Sequence, residues 1–161
     1  TYMPLARYAM YAQGVYVLLA PTWDNGDNWV CTLRHVAREG RTYVIGVGSL
    51  LRGSDVPDDF PGRAGIYGGD DDWMCPGWSA IVDPGGSLLA GPLKEQPGIL
   101  YAELDAGAAR GSRVEFDPVG HYARTDLFQL TVDTRPRPAV APAAPPAVGS
   151  EEPMLPAELL G

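Results

Sequence analysis

Apolar positions change period several times along the first fifty residues. Leu5, Tyr8, Ala9 and Ala12 recur at helical spacing behind Pro4, whose missing N–H suits a first helical position, and Gly14 supplies a stop. A helix is therefore expected over about 4–13. The run "VYVLLA" that follows is apolar without interruption and reads as a strand buried on both faces. Asp27 or Asn28 can cap the next helix, in which Val30, Leu33, Val36 and Ala37 form the stripe and Gly40 the stop. "RTYVIGVGSL" repeats the buried-strand pattern. Helix, strand, helix, strand predicts an α/β fold with a parallel or largely parallel sheet. The opening "TYMPLARYAM" reads as the mouth of a helix, a place normally reached from a strand and a tight turn, so the chain is expected to start part-way into a domain.

From Leu51 to Gly77 glycine, proline and aspartate are so dense that one long irregular loop is expected, with Phe60, Tyr67 and Trp73 packing it against something. "SAIVDPGGSLLAGP" reads as a hairpin around a tight turn, and "GILYAELD" as a further strand. Asp105 can cap a short helix through Arg110. Phe128, Leu130 and Val132 alternate as a late strand or an extended arm. Beyond Thr134 alanine and proline dominate, which favours a polyproline-like or disordered tail, flexible or docking on a partner subunit through "PMLPAELLG".

Composition narrows the classes. A chain of 161 residues that is 45% hydrophobic can bury a core. A formal net charge of −8, with Lys94 as the only lysine, argues against a nucleic-acid partner, because phosphate binding needs clustered cations. No apolar run approaches the roughly 20 residues of a membrane span, so no membrane partner is expected. Two cysteines make no disulfide framework and suggest a reducing, cytoplasmic setting.

Each candidate for chemistry has a plainer alternative. Cys31 and His35 share a helix face four residues apart, yet mid-helix is a poor place for a nucleophile, so a structural role is preferred. Cys75 sits in the irregular loop with no histidine close in sequence. "GGDDDWM" offers three carboxylates, but consecutive side chains diverge, and a solvated or arginine-paired loop is the better reading than a metal site. His121 has no partner at metal spacing, and the glycine-rich "GVGSLLRG" and "DPGGSLLAG" match no nucleotide fingerprint. Neither metal nor cofactor is expected, and no catalytic constellation is complete.

The ordered set "YMPLARYAMYAQG", "APTWD", "TLRHVAREGRTYVIGVGSLLRGSDVP", "YGGDDDWM", "GWSAIVDPGGSLLAGP", "GILYAELD" and "FDPVGHYAR" resembles the nitrilase branch of the carbon–nitrogen hydrolases, from Tyr2 to about Pro138. The resemblance implies half of a four-layer α-β-β-α sandwich over 1–138, with 139–161 as the Pro/Ala-rich tail. The family's nucleophile motif is similar to Cys-Trp-Glu-Asn-Tyr-Met-Pro, so Thr1 stands at the Asn position and the cysteine three residues earlier. The family's glutamate and lysine stand further upstream, so no catalytic residue is assigned in this chain. Thr22 and Trp23 match the family's pocket-forming position after the first strand, and "APTW" and "VGSLL" are expected to open on one sheet edge, which adds Ser49 as a weaker candidate. What the resemblance implies for the parent is hydrolysis of nitriles to carboxylic acids and ammonia, in a homo-oligomer, dimer or spiral, paired through the helices at 4–13 and about 28–39. The chain alone is then expected to be inactive. Alternatives are a cyanide-degrading enzyme or amidase of the same family, or a non-catalytic binding module.

Overall fold

The computed structural model describes residues 2–136 and Val140. The chain divides into two units, Thr1–Thr131 and Val132–Gly161. Among the described residues, all the regular elements lie in the first.

Helix α1 spans Pro4–Ala12, with Pro4 at its first position as the sequence requires. Gly14, at φ 75°, donates its N–H to the Tyr11 carbonyl and turns the chain into strand β1, Val17–Thr22. Helix α2 covers Gly26–Gly40, and its N-cap position is Asn25, which makes no side-chain capping bond, rather than Asp27 or Asn28. The earlier start follows from the turn before it, where the Asp24 carboxylate accepts the Asn25 N–H and Gly26 takes φ 83°.

Gly40 is not the stop. It remains inside α2, and Arg41 takes the left-handed conformation at φ 49°. A Cβ on Gly40 would overlap the ring of Tyr11, so the glycine serves close approach of α1 and α2. The Tyr11 hydroxyl then donates to the Val36 carbonyl across the same contact.

Strand β2, Tyr43–Gly48, runs parallel to β1 in a register that pairs Val17 with Tyr43 and Thr22 with Gly48. The next strands are β3 (Leu50–Arg52), β4 (Trp73–Val82) and β5 (Leu88–Lys94). β4 pairs antiparallel with β2, β3 and β5, giving the order β1-β2-β4-β3 with β5 also on β4. The sheet is thus mixed, against the expectation of a largely parallel one. Parallel return needs a crossover long enough to span the sheet, and after β2 the only α-helix before β4 is the four-residue α3, Arg63–Ile66.

The segment expected to be wholly irregular contains β3, a 3-10 turn at Gly53–Asp55, α3 and the first residues of β4. Arg63 ties it together, donating to the carbonyls of Val56 and Gly68 and to the Asp70 carboxylate. Phe60 and Tyr67 meet edge to face at 5.5 Å, the packing their presence suggested. The hairpin forms as read, with the Asp83 carboxylate accepting from the N–H groups of Gly85 and Ser87.

"GILYAELD" forms no strand and has no sheet partner among the described residues, and Tyr101 is exposed. One side chain anchors its end. The Tyr43 hydroxyl donates to the Asp105 carbonyl and accepts the Asp105 N–H. Asp105 then caps helix α4, Ala106–Ser112, by accepting from Gly107, as expected, and the helix passes Arg110 by two residues. Phe128, Leu130 and Val132 form no strand, against the strand reading. The Pro/Ala-rich tail, apart from Val140, lies outside the described residues.

One face of the sheet is buried. Leu18, Ala20, Val44, Ala80 and Val82 pack against Trp29, Leu33, Val36 and Ala37 of α2. The other face of β1 and β2 carries Leu19 at 66% exposure and Val47 at 53%. The apolar runs were read as buried on both faces, and here they are buried on one. The helices supply a single layer, and alternate residues of β1 point away from it.

Candidate active-site edge

The parallel pair β1 and β2 ends in register at Thr22 and Gly48, so the residues that follow each strand open on one edge. In α/β sheets the ligand crevice lies at such carboxyl ends. Thr22 closes β1, and its hydroxyl oxygen accepts the Asp24 N–H at 3.0 Å, bending the chain sharply into the turn before α2. That bend leaves Trp23 exposed. Ser49 follows Gly48, its side chain exposed and its carbonyl accepting the Gly77 N–H. The structure therefore brings Thr22, Trp23 and Ser49 to one edge.

Two residues at this edge were not found from sequence. Ser79 on β4 accepts the Gly48 N–H through its hydroxyl at 3.0 Å and so pins the last residue of β2. Trp78, held at φ 65°, packs on the core and carries the Lys94 ammonium 4.8 Å from its ring centroid. Both depend on antiparallel pairing across the sheet, which leaves no local signature. The amino-terminal residues also reach the start of α2, where the Tyr2 ring lies 6.3 Å from that of Trp29.

The other candidates are placed elsewhere. The His35 imidazole lies 2.9 Å from the Glu39 carboxylate, which also takes two hydrogen bonds from Arg7. No Cys31–His35 pair results. The hydrogen bonds that Arg7 donates to Glu39 raise the pKa of its guanidinium, and burial pushes the Tyr11 phenol up to about 12. Cys75 is a residue of β4, not of a loop; it is buried opposite Leu51, and burial raises its thiol pKa. Of the three adjacent carboxylates, Asp70 is paired with Arg63 and Asp72 accepts the Gly69 N–H. The His121 ring lies edge-on to Tyr122 at 5.0 Å. A groove of 560 Å³ lined by Tyr43, Asp83, Leu89, Glu103 and Asp105 opens at the amino end of β2, away from the edge just described. No helix among the described residues is long and apolar enough to cross a membrane.

Residues 1–113 match the family profile described as Carbon-nitrogen hydrolase. The chain belongs to the carbon–nitrogen hydrolase family. Its place is in the nitrilase branch. It is 42% identical to an aliphatic nitrilase of Sinorhizobium fredii over 89% of its length and 46% of that protein. It is 38% identical to the bifunctional nitrilase/nitrile hydratase NIT4B of Nicotiana tabacum over 81% of its length and 38% of that protein. The chain spans about half the length, or less, of these curated relatives. A carbon-nitrogen hydrolase from Helicobacter pylori G27 superposes with a TM-score of 0.57 at 20% identity, covering 78% of this chain and 43% of that one. The one-sided sheet with its single helix layer is accordingly half of a nitrilase-like carbon–nitrogen hydrolase fold.

Proposed function

We propose that this chain forms the carboxyl-terminal part of a nitrilase that converts nitriles to carboxylic acids and ammonia. The likeness to an aliphatic nitrilase along 89% of the chain carries the reading. The apolar face bearing Leu19 and Val47 supports it, because a second sheet is what covers such a face in the four-layer sandwich. In this reading the nucleophile, a cysteine three residues before Thr1, attacks the nitrile carbon, and the nitrogen takes up a proton to give a thioimidate. Water adds, ammonia leaves with protons relayed by a glutamate, and a second water hydrolyses the thioester to the acid and the free thiol. A lysine stabilises the charge of the tetrahedral states.

This chain contributes the frame of the pocket. Trp23 supplies an apolar wall for the substrate side group, with Thr22 beside it and Ser49 across the edge. Helix α1, beginning at Pro4 a few residues after the nucleophile, presents its amino terminus to the thiolate and lowers the thiol pKa. The parent is a cytoplasmic homo-oligomer paired through α1 and α2, and the 161 residues alone are inactive.

The test is product analysis of the full-length protein from the native gene, given aliphatic and aromatic nitriles, cyanide and amides. Ammonia and acid released from nitriles in a 1:1 ratio support the reading. Amide is assayed alongside, since one relative is named a bifunctional nitrilase/nitrile hydratase. Turnover of amides or cyanide with none of nitriles moves the activity elsewhere in the family, and turnover of nothing leaves a binding module. Nitrile hydrolysis by the 161-residue chain, abolished by Cys31→Ala or Cys75→Ala, refutes the placement of the nucleophile.

A further inference from the structure

Arg41, which closes α2 in the left-handed conformation, is buried, and its guanidinium makes one hydrogen bond among the described residues. That bond runs from Nη1 to the Glu115 carboxylate at 3.5 Å, the outer limit for such a contact, and the Glu115 side chain is itself 77% exposed. Nε is enclosed and out of reach of any ligand, whereas Nη2 has no partner among the described residues and is not enclosed. The guanidinium also lies 5.6 Å from the centroid of the Phe116 ring. A guanidinium has five donors, and burying it with one long bond costs free energy that a better acceptor restores.

Arg41 opens on a groove of about 570 Å³ whose other walls include Arg38, Glu39, Glu115, Phe116 and Tyr122. Arg38 is exposed, and its guanidinium has no hydrogen bond or ion pair among the described residues. Glu39 is already engaged by Arg7 and His35. The rings of Phe116 and Tyr122 lie 4.8 Å apart, and Tyr122 is exposed. The groove sits where α2 leads into the first residues of β2, at the opposite end of that strand from Thr22, Trp23 and Ser49. We propose that it binds a small organic monocarboxylate with an aromatic body. The ligand's carboxylate displaces Glu115 and takes both Nη groups of Arg41, with Arg38 as the second cation and Tyr122 against the ring. A guanidinium fork matches a planar carboxylate, and the aromatic wall suits an apolar body. Glu39 and Glu115 in the same wall disfavour a dianion such as phosphate. The volume is that of an ordinary small-molecule site. Acids released by the proposed hydrolysis belong to this class, but binding here does not rest on that reading.

The experiment is calorimetric titration of the full-length protein with benzoate, and with benzamide and inorganic phosphate for comparison. Benzoate is expected to bind at least tenfold more tightly than benzamide, its neutral counterpart of the same shape. Arg41→Lys, which keeps the charge and removes the fork, should weaken benzoate about tenfold, and Arg38→Gln, at an exposed position, about threefold. Glu115→Gln should tighten it about threefold, since the competing carboxylate is gone, with kcat and KM for nitriles unchanged. If Arg41→Lys fails to fold, the two exposed positions carry the test. Benzoate binding that is the same in wild type, Arg38→Gln and Glu115→Gln overturns the proposal, because the ligand then sits elsewhere. Phosphate bound more tightly than benzoate overturns the carboxylate class, and no benzoate binding to the wild type overturns the site, including the case in which a neighbouring subunit fills the groove. A protein that hydrolyses no nitrile sinks the functional reading alone, since every binding measurement here still stands.

Discussion

Replacing Gly40 by alanine tests whether this glycine ends a helix or lets two helices meet. At an ordinary helical site Gly→Ala stabilises by up to about 1 kcal/mol, because alanine loses less backbone entropy. Here the new Cβ would overlap three atoms of the Tyr11 ring, which is 1% exposed and tethered through its hydroxyl to the Val36 carbonyl. The ring cannot swing aside without losing that hydrogen bond and its packing, and overpacking of this kind costs about 1–3 kcal/mol. Subtracting the full propensity gain leaves a net loss of about 0–2 kcal/mol. Urea unfolding of the 161-residue chain, followed by circular dichroism, reads it as a lower midpoint at unchanged slope. Tyr11→Leu should relieve the overlap, so the double variant is expected to be less destabilised than the sum of the singles by about 1 kcal/mol. A Gly40→Ala protein more stable than the parent, or strict additivity with Tyr11→Leu, refutes the close-approach argument.

Tyr11 also makes stability fall in alkali. Its pKa rises from 10.0 unfolded to about 12 folded, so its contribution is complete below pH 10 and lost as pH climbs through about 12. Two pKa units correspond to about 2–3 kcal/mol, and Tyr11→Phe should remove that part of the pH dependence in urea titrations; parallel curves for the two proteins contradict it. Leu19→Ala should cost under about 0.5 kcal/mol in the 161-residue chain, where Leu19 is 66% exposed, but about 2–4 kcal/mol in a full-length protein that covers this face. Equal losses in the two refute the second-sheet assignment. Trp23→Ala in the full-length protein should raise KM for bulky nitriles about tenfold. Unchanged KM across a nitrile series removes Trp23 from the pocket.

Features whose cause is local were legible in the sequence. Pro4 at the head of α1, the Asp83 turn and the Asp105 cap each act within a few residues of themselves. Gly40 was misread because a helix stop and a close contact select the same residue, and only the position of Tyr11 tells them apart. The runs around Leu19 and Val47 announce burial without saying what does the burying. The start of β4 was hidden because Pro76, Gly77 and Trp78, the last at φ 65°, interrupt the strand pattern where the pairing with β5 shifts register. Strand–helix–strand order told that the ends of β1 and β2 share an edge, whereas Thr22 and Trp23 as pocket residues came from the resemblance. Ser79 followed from neither, since its role is defined by a partner far along the chain.

The double hydrogen bond between Tyr43 and Asp105 has a consequence for motion. A strand is held by a ladder of bonds, whereas residues 98–105 are held at their end by one hydroxyl gripping both polar groups of one residue. Detaching them breaks that grip and leaves the sheet's own pairing intact. The amides of 98–105 are therefore expected to exchange with solvent through a small opening of their own, at lower free energy than those of β1, β2 and β4, and Tyr43→Phe is the change that lowers it further.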